Sequence, residues 1–241
     1  MKKVSMFLLA FVLCMLLISE MGMAYTFTYG DIYKQWPGQI GHNKNGVDLS
    51  NYDTYGTPKI SGAEVVVTGD AADPGTLESI TIYMEERRVW DALFINTGGE
   101  DSWQAWDYMV YDSDDGDGNG ASGMPVSSDG IYTVNDNYEY SYSITGRIGH
   151  ANGIKENSLS LDSWQDFEPV WDSDTGSLTY NFSGFDINLY PDFVIGYTPY
   201  CANDVFLTPP AAVPEPATML LFGCGLIGLA SIGRRKFVKK V

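Results

Sequence analysis

Apolar and polar residues alternate in short runs along most of this chain, and the runs are separated by Gly, Asp, Asn and Pro. Alternation with a period of two places every second side chain on one face, the signature of a half-buried strand. Tyr25 to Tyr29 alternates aromatic residues with Thr, and Val65-Val66-Val67 is a short β-branched run. Leu77 to Met84, Trp90 to Ile95, Trp106 to Tyr111 and Ile131 to Val134 read as further strands. Tyr138, Tyr140, Tyr142 and Ile144 alternate cleanly with Glu139, Ser141 and Ser143, the clearest half-buried strand in the sequence. Leu178 to Phe182, Phe185 to Leu189, Phe193 to Tyr197 and Asp204 to Phe206 complete the series, while Asp31 to Pro58 and Gly146 to Asp174 read mostly as loop. About ten short strands with tight turns and no soluble amphipathic helix predict an antiparallel β-sandwich, jelly-roll-like, with a closed barrel or a propeller as alternatives. Trp-Asp recurs at 90–91, 106–107 and 171–172, but the irregular spacing is not that of propeller blades. Asp101-Ser102-Trp103-Gln104 recurs as Asp162-Ser163-Trp164-Gln165, read as coincidence ahead of an old duplication.

The two ends follow a different pattern. Lys2 and Lys3 precede an apolar run from Val4 to Ile18, and Gly22-Met23-Ala24 offers small residues before a cut. This is the layout of a secretory signal peptide over residues 1–24, with signal peptidase acting between Ala24 and Tyr25. At the other end Pro214-Glu215-Pro216 stops any regular element. The uncharged stretch from Ala217 to Ile232 then predicts a transmembrane helix over 217–233, and Arg234, Arg235 and Lys236 begin a basic tail that stays cytoplasmic. Between these ends the sequence predicts an ectodomain over residues 25–207 and a Pro-rich linker over 208–213.

The tail resembles the PEP-CTERM sorting signal: Val213-Pro214-Glu215-Pro216-Ala217-Thr218-Met219, an apolar segment containing Gly, and the Arg234-Arg235 cluster. The resemblance implies an exosortase as partner and processing near Pro214, Glu215 and Pro216. It implies a membrane-held precursor that ends at the cell surface or in the extracellular matrix of a bacterium that makes exopolysaccharide. The body looks like a recurring ectodomain of such proteins, through Tyr52-Asp53-Thr54-Tyr55-Gly56, Leu93-Phe94-Ile95, Trp106-Asp107-Tyr108, Ile195-Gly196-Tyr197-Thr198 and Cys201-Ala202-Asn203-Asp204-Val205. That resemblance implies an all-β module and carries no established chemistry.

Charge narrows the range of partners. Seven of the 14 Lys+Arg and 29 of the 31 Asp+Glu lie in residues 25–210, a net charge of −22 for the body. Nucleic acids and anionic lipids need a basic face, so both are excluded as partners of the body, whereas divalent cations and neutral glycans are compatible. Cys14 lies in the signal segment and Cys224 in the apolar tail. Cys201 is therefore the lone cysteine of the body, and no intramolecular disulfide can form there.

One run has the composition of a cation loop: Asp112-Ser113-Asp114-Asp115-Gly116-Asp117-Gly118-Asn119-Gly120. Clustered like charges repel, and a hard cation relieves the repulsion, which makes Asp112, Asp114, Asp115, Asp117 and Asn119 candidate calcium ligands. Asp115, Asp117, Asn119 and Gly120 match the opening of an EF-hand loop, but position twelve is Val126 and not Glu, so an EF-hand is excluded and a looser loop needs further oxygens, with Asp129 a candidate. A solvated acidic turn is the alternative. Asp48 and Asp53 are a second, weaker oxygen pair.

The inventory does not predict an enzyme. His42 and His150 are the two histidines, and neither H-E-x-x-H nor G-x-S-x-G occurs. Trp36, Trp103, Trp106, Trp164 and Trp171 are candidates by type for a sugar-binding face, or else core residues. The expectation is an exported surface or exopolysaccharide-matrix protein with a structural or adhesive role. A calcium-assisted carbohydrate-binding module is the alternative, and a glycan-active hydrolase stands behind it.

Overall fold

The computed structural model describes residues 24–31, 36, 58–87, 90–99, 102–113, 126–142, 151–165, 167–199, 202 and 204–208. The expected signal and transmembrane helices lie outside these residues, and among the described residues there is no α-helix, only a 3-10 turn at Glu156–Ser158.

Two antiparallel sheets carry the fold. In the first, β1 (Tyr25–Gly30), β2 (Ile60–Val67) and β3 (Gly75–Met84) form a meander. The other edge of β3 pairs with β11 (Ser177–Asn181), which in turn pairs with β10 (Val170–Asp172), and β12 (Asn188–Leu189) extends the start of β3. In the second, β4 (Trp90–Asn96), β5 (Tyr108–Ser113) and β6 (Gly130–Val134) form another meander. It is flanked by β13 (Val194–Pro199) with β14 (Phe206–Leu207) on one side and by β9 (Leu159–Gln165) on the other. β7 (Tyr140–Tyr142) and β8 (Ala151–Ile154) form a separate hairpin.

The sheets pack face to face, as the alternation predicts. Val65, Val67, Ile80, Ile82 and Leu178 of the first sheet share one buried core with Leu93, Ile95, Val110, Ile131 and Ile195 of the second. Phe27 meets Phe193 edge-on across this core with ring centroids 5.1 Å apart. Burying such side chains at roughly 1.5–3 kcal/mol each is the main force that closes the two sheets.

The second sheet is buried on both faces. Trp90, Ala92 and Phe94 point away from the first sheet, into a second core with Met109, Tyr111, Tyr132 and Val194. Trp36 and the hairpin residues Ala151 and Ile154 cover that face. Every position of β4 is therefore buried, which accounts for an apolar run from Trp90 to Ile95 that only Asp91 interrupts. Gly196 on β13 makes the covering possible: a Cβ there would lie 2.9 Å from Trp36 Cη2 and 3.0 Å from Trp106 Cη2.

Several expectations need correction. The strand order is two meanders, with β1–β3 in one sheet and β4–β6 in the other, and not the paired Greek keys of a jelly roll. Among the described residues each sheet keeps open edges, so these strands do not form a closed barrel. The stretch 146–174, expected to be mostly loop, contains β8, β9 and β10. Phe185–Leu189 is mainly turn, since the Phe185 N–H donates to the Phe182 carbonyl, and only its last two residues pair. Thr208, after β14, is still bonded to the second sheet. The Thr208 N–H donates to the Ile195 carbonyl at 2.8 Å, and the Ile195 N–H returns a 2.8 Å bond to Thr208 Oγ1.

Candidate functional site

Of the candidate residues, Pro214, Glu215, Pro216, Arg234 and Arg235 of the tail lie outside the described residues. So do Asp114, Asp115, Asp117 and Asn119 of the acidic loop, and Asp48, Asp53, His42, His150 and Cys201. Asp112 is described, and it belongs to a different constellation from the one expected. It is the penultimate residue of β5, directly opposite Asp91 of β4, and both face the inter-sheet core. Each is buried, Asp91 completely. Arg87, itself buried, holds the two acids. Its Nε lies 3.5 Å from Asp91 Oδ2, and an Nη is paired with Asp112 Oδ2. Tyr180, from β11 of the opposite sheet, donates its hydroxyl to Asp91 Oδ1. Burial and the Asp91 charge push the Tyr180 phenol well above its ordinary range. The cluster thus ties the two sheets together with charge. It is closed to solvent, and both acids are engaged by the guanidinium.

Immediately beyond it, Asp129 fastens the two ends of the acidic loop. Its Oδ1 accepts the Ser113 N–H at 2.9 Å and the Ser113 hydroxyl at 2.7 Å. Among the described residues no group of three or more His, Cys, Asp or Glu is arranged to hold a metal ion.

The tryptophans that were candidates either for a sugar-binding face or for the core turn largely inward where they are described. Trp36 and Trp106 are buried and pack on Phe94 at ring centroid distances of 5.5 and 5.3 Å. Trp36 Nε1 donates to the Ala151 carbonyl at 2.6 Å, and Trp106 Nε1 to the Tyr140 hydroxyl at 2.9 Å. Tyr138 donates to the Gln104 carbonyl at 2.5 Å. Trp103 is half-buried against the Trp36–Trp106 pair, and Trp171 is half-buried against the main core. The polar tips of Trp36, Trp106 and Tyr138 are thus satisfied within the protein, as buried aromatic donors require. Nothing is described of the Trp164 side chain.

A solvent-facing depression of about 560 Å³ lies where the β6–β7 turn meets the 3-10 turn. Asn135, Asp136, Asn137 and Glu139 line one wall, and Asn157 and Ser158 the other. The walls are fixed to each other through the backbone. The Asn135 N–H donates to the Ser158 carbonyl at 3.0 Å, and the Glu139 N–H to Ser158 Oγ at 3.1 Å. Lys155 Nζ sits 2.5 Å from Glu139 Oε2 and holds that carboxyl below its usual value. None of these residues was singled out by the sequence. The one local signal is the Asn-Asp-Asn triplet at 135–137, which by itself reads only as a turn.

Residues 212–236 match the family model of the PEP-CTERM protein-sorting motif. No curated protein and no solved structure matches the chain. The chain therefore carries a PEP-CTERM sorting motif at its C-terminal end, joined to an all-β ectodomain. The motif implies an exported, sorted protein recognised by an exosortase.

Proposed function

We propose that this is a cell-surface or exopolysaccharide-matrix protein whose β-domain has a structural or adhesive role after exosortase processing of the tail. The sorting motif at 212–236 carries the delivery half of this reading. The use of the aromatic side chains supports the structural half. Trp36, Trp90 and Trp106 fill the second core, and among the described residues the large apolar side chains left exposed are Tyr25, Val170 and Tyr190. In this reading the role is non-enzymatic, and it is supported by the two acids that the sheet sets opposite each other, Asp91 and Asp112, being buried and paired with Arg87 instead of facing a cleft.

The test compares cells with and without an exosortase, each expressing the intact chain or a Glu215→Ala variant, followed by fractionation and immunoblotting. In exosortase-positive cells the intact chain should reach the surface or matrix as a shortened form. Without exosortase, or with Glu215→Ala, a longer membrane-bound form should accumulate. Equal size and location in all four arms would refute the proposal.

A further inference from the structure

We infer that the depression between the β6–β7 turn and the 3-10 turn is a binding site for a neutral polyhydroxylated ligand, a glycan. This rests on the surface and matrix role proposed above and adds the ligand class and its location. A sugar hydroxyl both donates and accepts, and a side-chain amide offers both functions. The side chains of Asn135, Asn137 and Asn157 supply three amides around one space, joined by the carboxylates of Asp136 and Glu139. The Asn135 and Asn137 side chains are exposed and make no hydrogen bond to the described residues, so their capacity is available. The walls are already locked by the bonds from the Asn135 and Glu139 amides to Ser158, so little ordering is required on binding.

The same observations set other ligands aside. Apart from Val134 the lining is polar, and it holds no aromatic ring, which leaves a lipid or a planar aromatic ligand too little apolar surface to pack on. Asp136 and Glu139, on a body of net charge −22, repel anions. Glu139 is taken up by Lys155, and one remaining carboxylate falls short of the six to eight oxygens that calcium takes. Without a stacking platform a single site is weak, with a dissociation constant on the order of 1 mM. Many copies along one polysaccharide multiply that affinity through effective concentration.

The test is saturation-transfer NMR on the full chain in detergent micelles. The panel is glucose, galactose, mannose, N-acetylglucosamine and their disaccharides, with galacturonate as the anionic comparison, each with and without EDTA. At least one neutral sugar should respond, independently of EDTA, with no response from galacturonate. An Asn137→Ala/Asn157→Ala variant should lose about five-fold or more of that response at an unchanged melting temperature, because both side chains are exposed. Should the double variant melt early, Asn157→Asp is read in its place. It adds a charge at the rim and should reduce the response in the same way. No response to any neutral sugar, a response that survives the substitutions, or one that needs the divalent ion overturns the site. Protease shaving of intact cells runs alongside. A chain that is cleaved at the surface but is silent to sugars overturns the site alone, whereas a chain protected inside the cell refutes the surface role itself.

Discussion

Replacing Arg87 with Leu tests how the two sheets are held. The substitution keeps an aliphatic stem but leaves Asp91 and Asp112 facing each other, buried, on adjacent strands. Opposite residues of an antiparallel pair stand about 5 Å apart. Two unit charges at that separation repel by roughly 3 kcal/mol at an effective dielectric constant of about 20. The value agrees with the ~3–5 kcal/mol lost when one partner of a buried ion pair is removed. A loss of that size is a large share of the ~5–15 kcal/mol that holds a domain together. The loss should also depend on pH. In the variant, burial and mutual repulsion raise the folded-state pKa of the acid pair above the unfolded value of about 3.9. The carboxyl contribution is then fully present below that unfolded value and is lost as pH rises through the raised folded value. The stability gap between wild type and variant is therefore widest at neutral pH and narrows as the solution is acidified. Chemical denaturation followed by tryptophan fluorescence, at several pH values between 4 and 8, measures it. Adding Asp112→Asn to the variant should recover much of the loss at pH 7. A gap under about 1 kcal/mol at pH 7, or one that stays constant with pH, would show that the cluster is not the buried charge assembly described above.

Three further outcomes follow from the packing. Gly196→Ala forces a methyl group against the Trp36 and Trp106 rings and should cost about 1–3 kcal/mol, read as a melting temperature lower by several degrees; an unchanged melting temperature would mean that the two indoles can retreat. Asp129→Ala removes the acceptor for the Ser113 N–H and hydroxyl, and should cost about 1–3 kcal/mol and speed proteolysis of the segment between β5 and β6; equal cleavage rates would deny Asp129 its fastening role. Burial holds the phenols of Tyr29, Tyr111, Tyr140 and Tyr180 above their ordinary range, while in the unfolded chain they ionise near pH 10. The folded state then binds more protons above that pH, so stability should fall as pH rises beyond about 10. Phenolate absorbance at 295 nm should stay below that expected for all 16 tyrosines until the chain unfolds, and complete ionisation of a natively folded chain near pH 10 would contradict the burial.

The sequence showed most clearly the strands that pack on one face only. Leu178 and Tyr180 alternate with Thr179 because β11 has a core side and a solvent side. β4 was visible for the opposite reason: two cores leave it no solvent side, so apolar residues fill both faces and only Asp91 interrupts them before Asn96. β8 to β10 were hidden by their Ser, Asn, Asp and Gly content. Short strands at sheet margins, such as β9 and β10, gain most of their stability from the neighbour they pair with, and one chain read alone does not reveal the neighbour. The acidic run misled at its first residue. Asp112 looks like the start of a loop, yet the register with β4 turns it inward toward Arg87. A signal for this was present in Asp91, a lone charge inside the apolar run Trp90–Ile95 with Arg87 just ahead of it. A buried acid calls for such a partner, but which second acid shares it depends on strand pairing. The depression had no comparable signal, because its two walls are about 20 residues apart and meet through the bonds that Ser158 and Lys155 make to Asn135 and Glu139.

The way the fold ends has a mechanical consequence. β14 is two residues long and lies at the edge of its sheet, and Thr208 is the last described residue that bonds to the domain. Any pull transmitted through the tail, from a growing matrix or from flow past a tethered cell, reaches the domain first at this short ladder. Each of its hydrogen bonds contributes only about 1 kcal/mol net. Its side chains hold it more firmly: Phe206 is buried in the main core and Leu207 in the second, so the edge cannot peel away while both cores stay closed. In the proposed surface role the last strand is a clasp, which passes a load arriving through the tail to both cores at once.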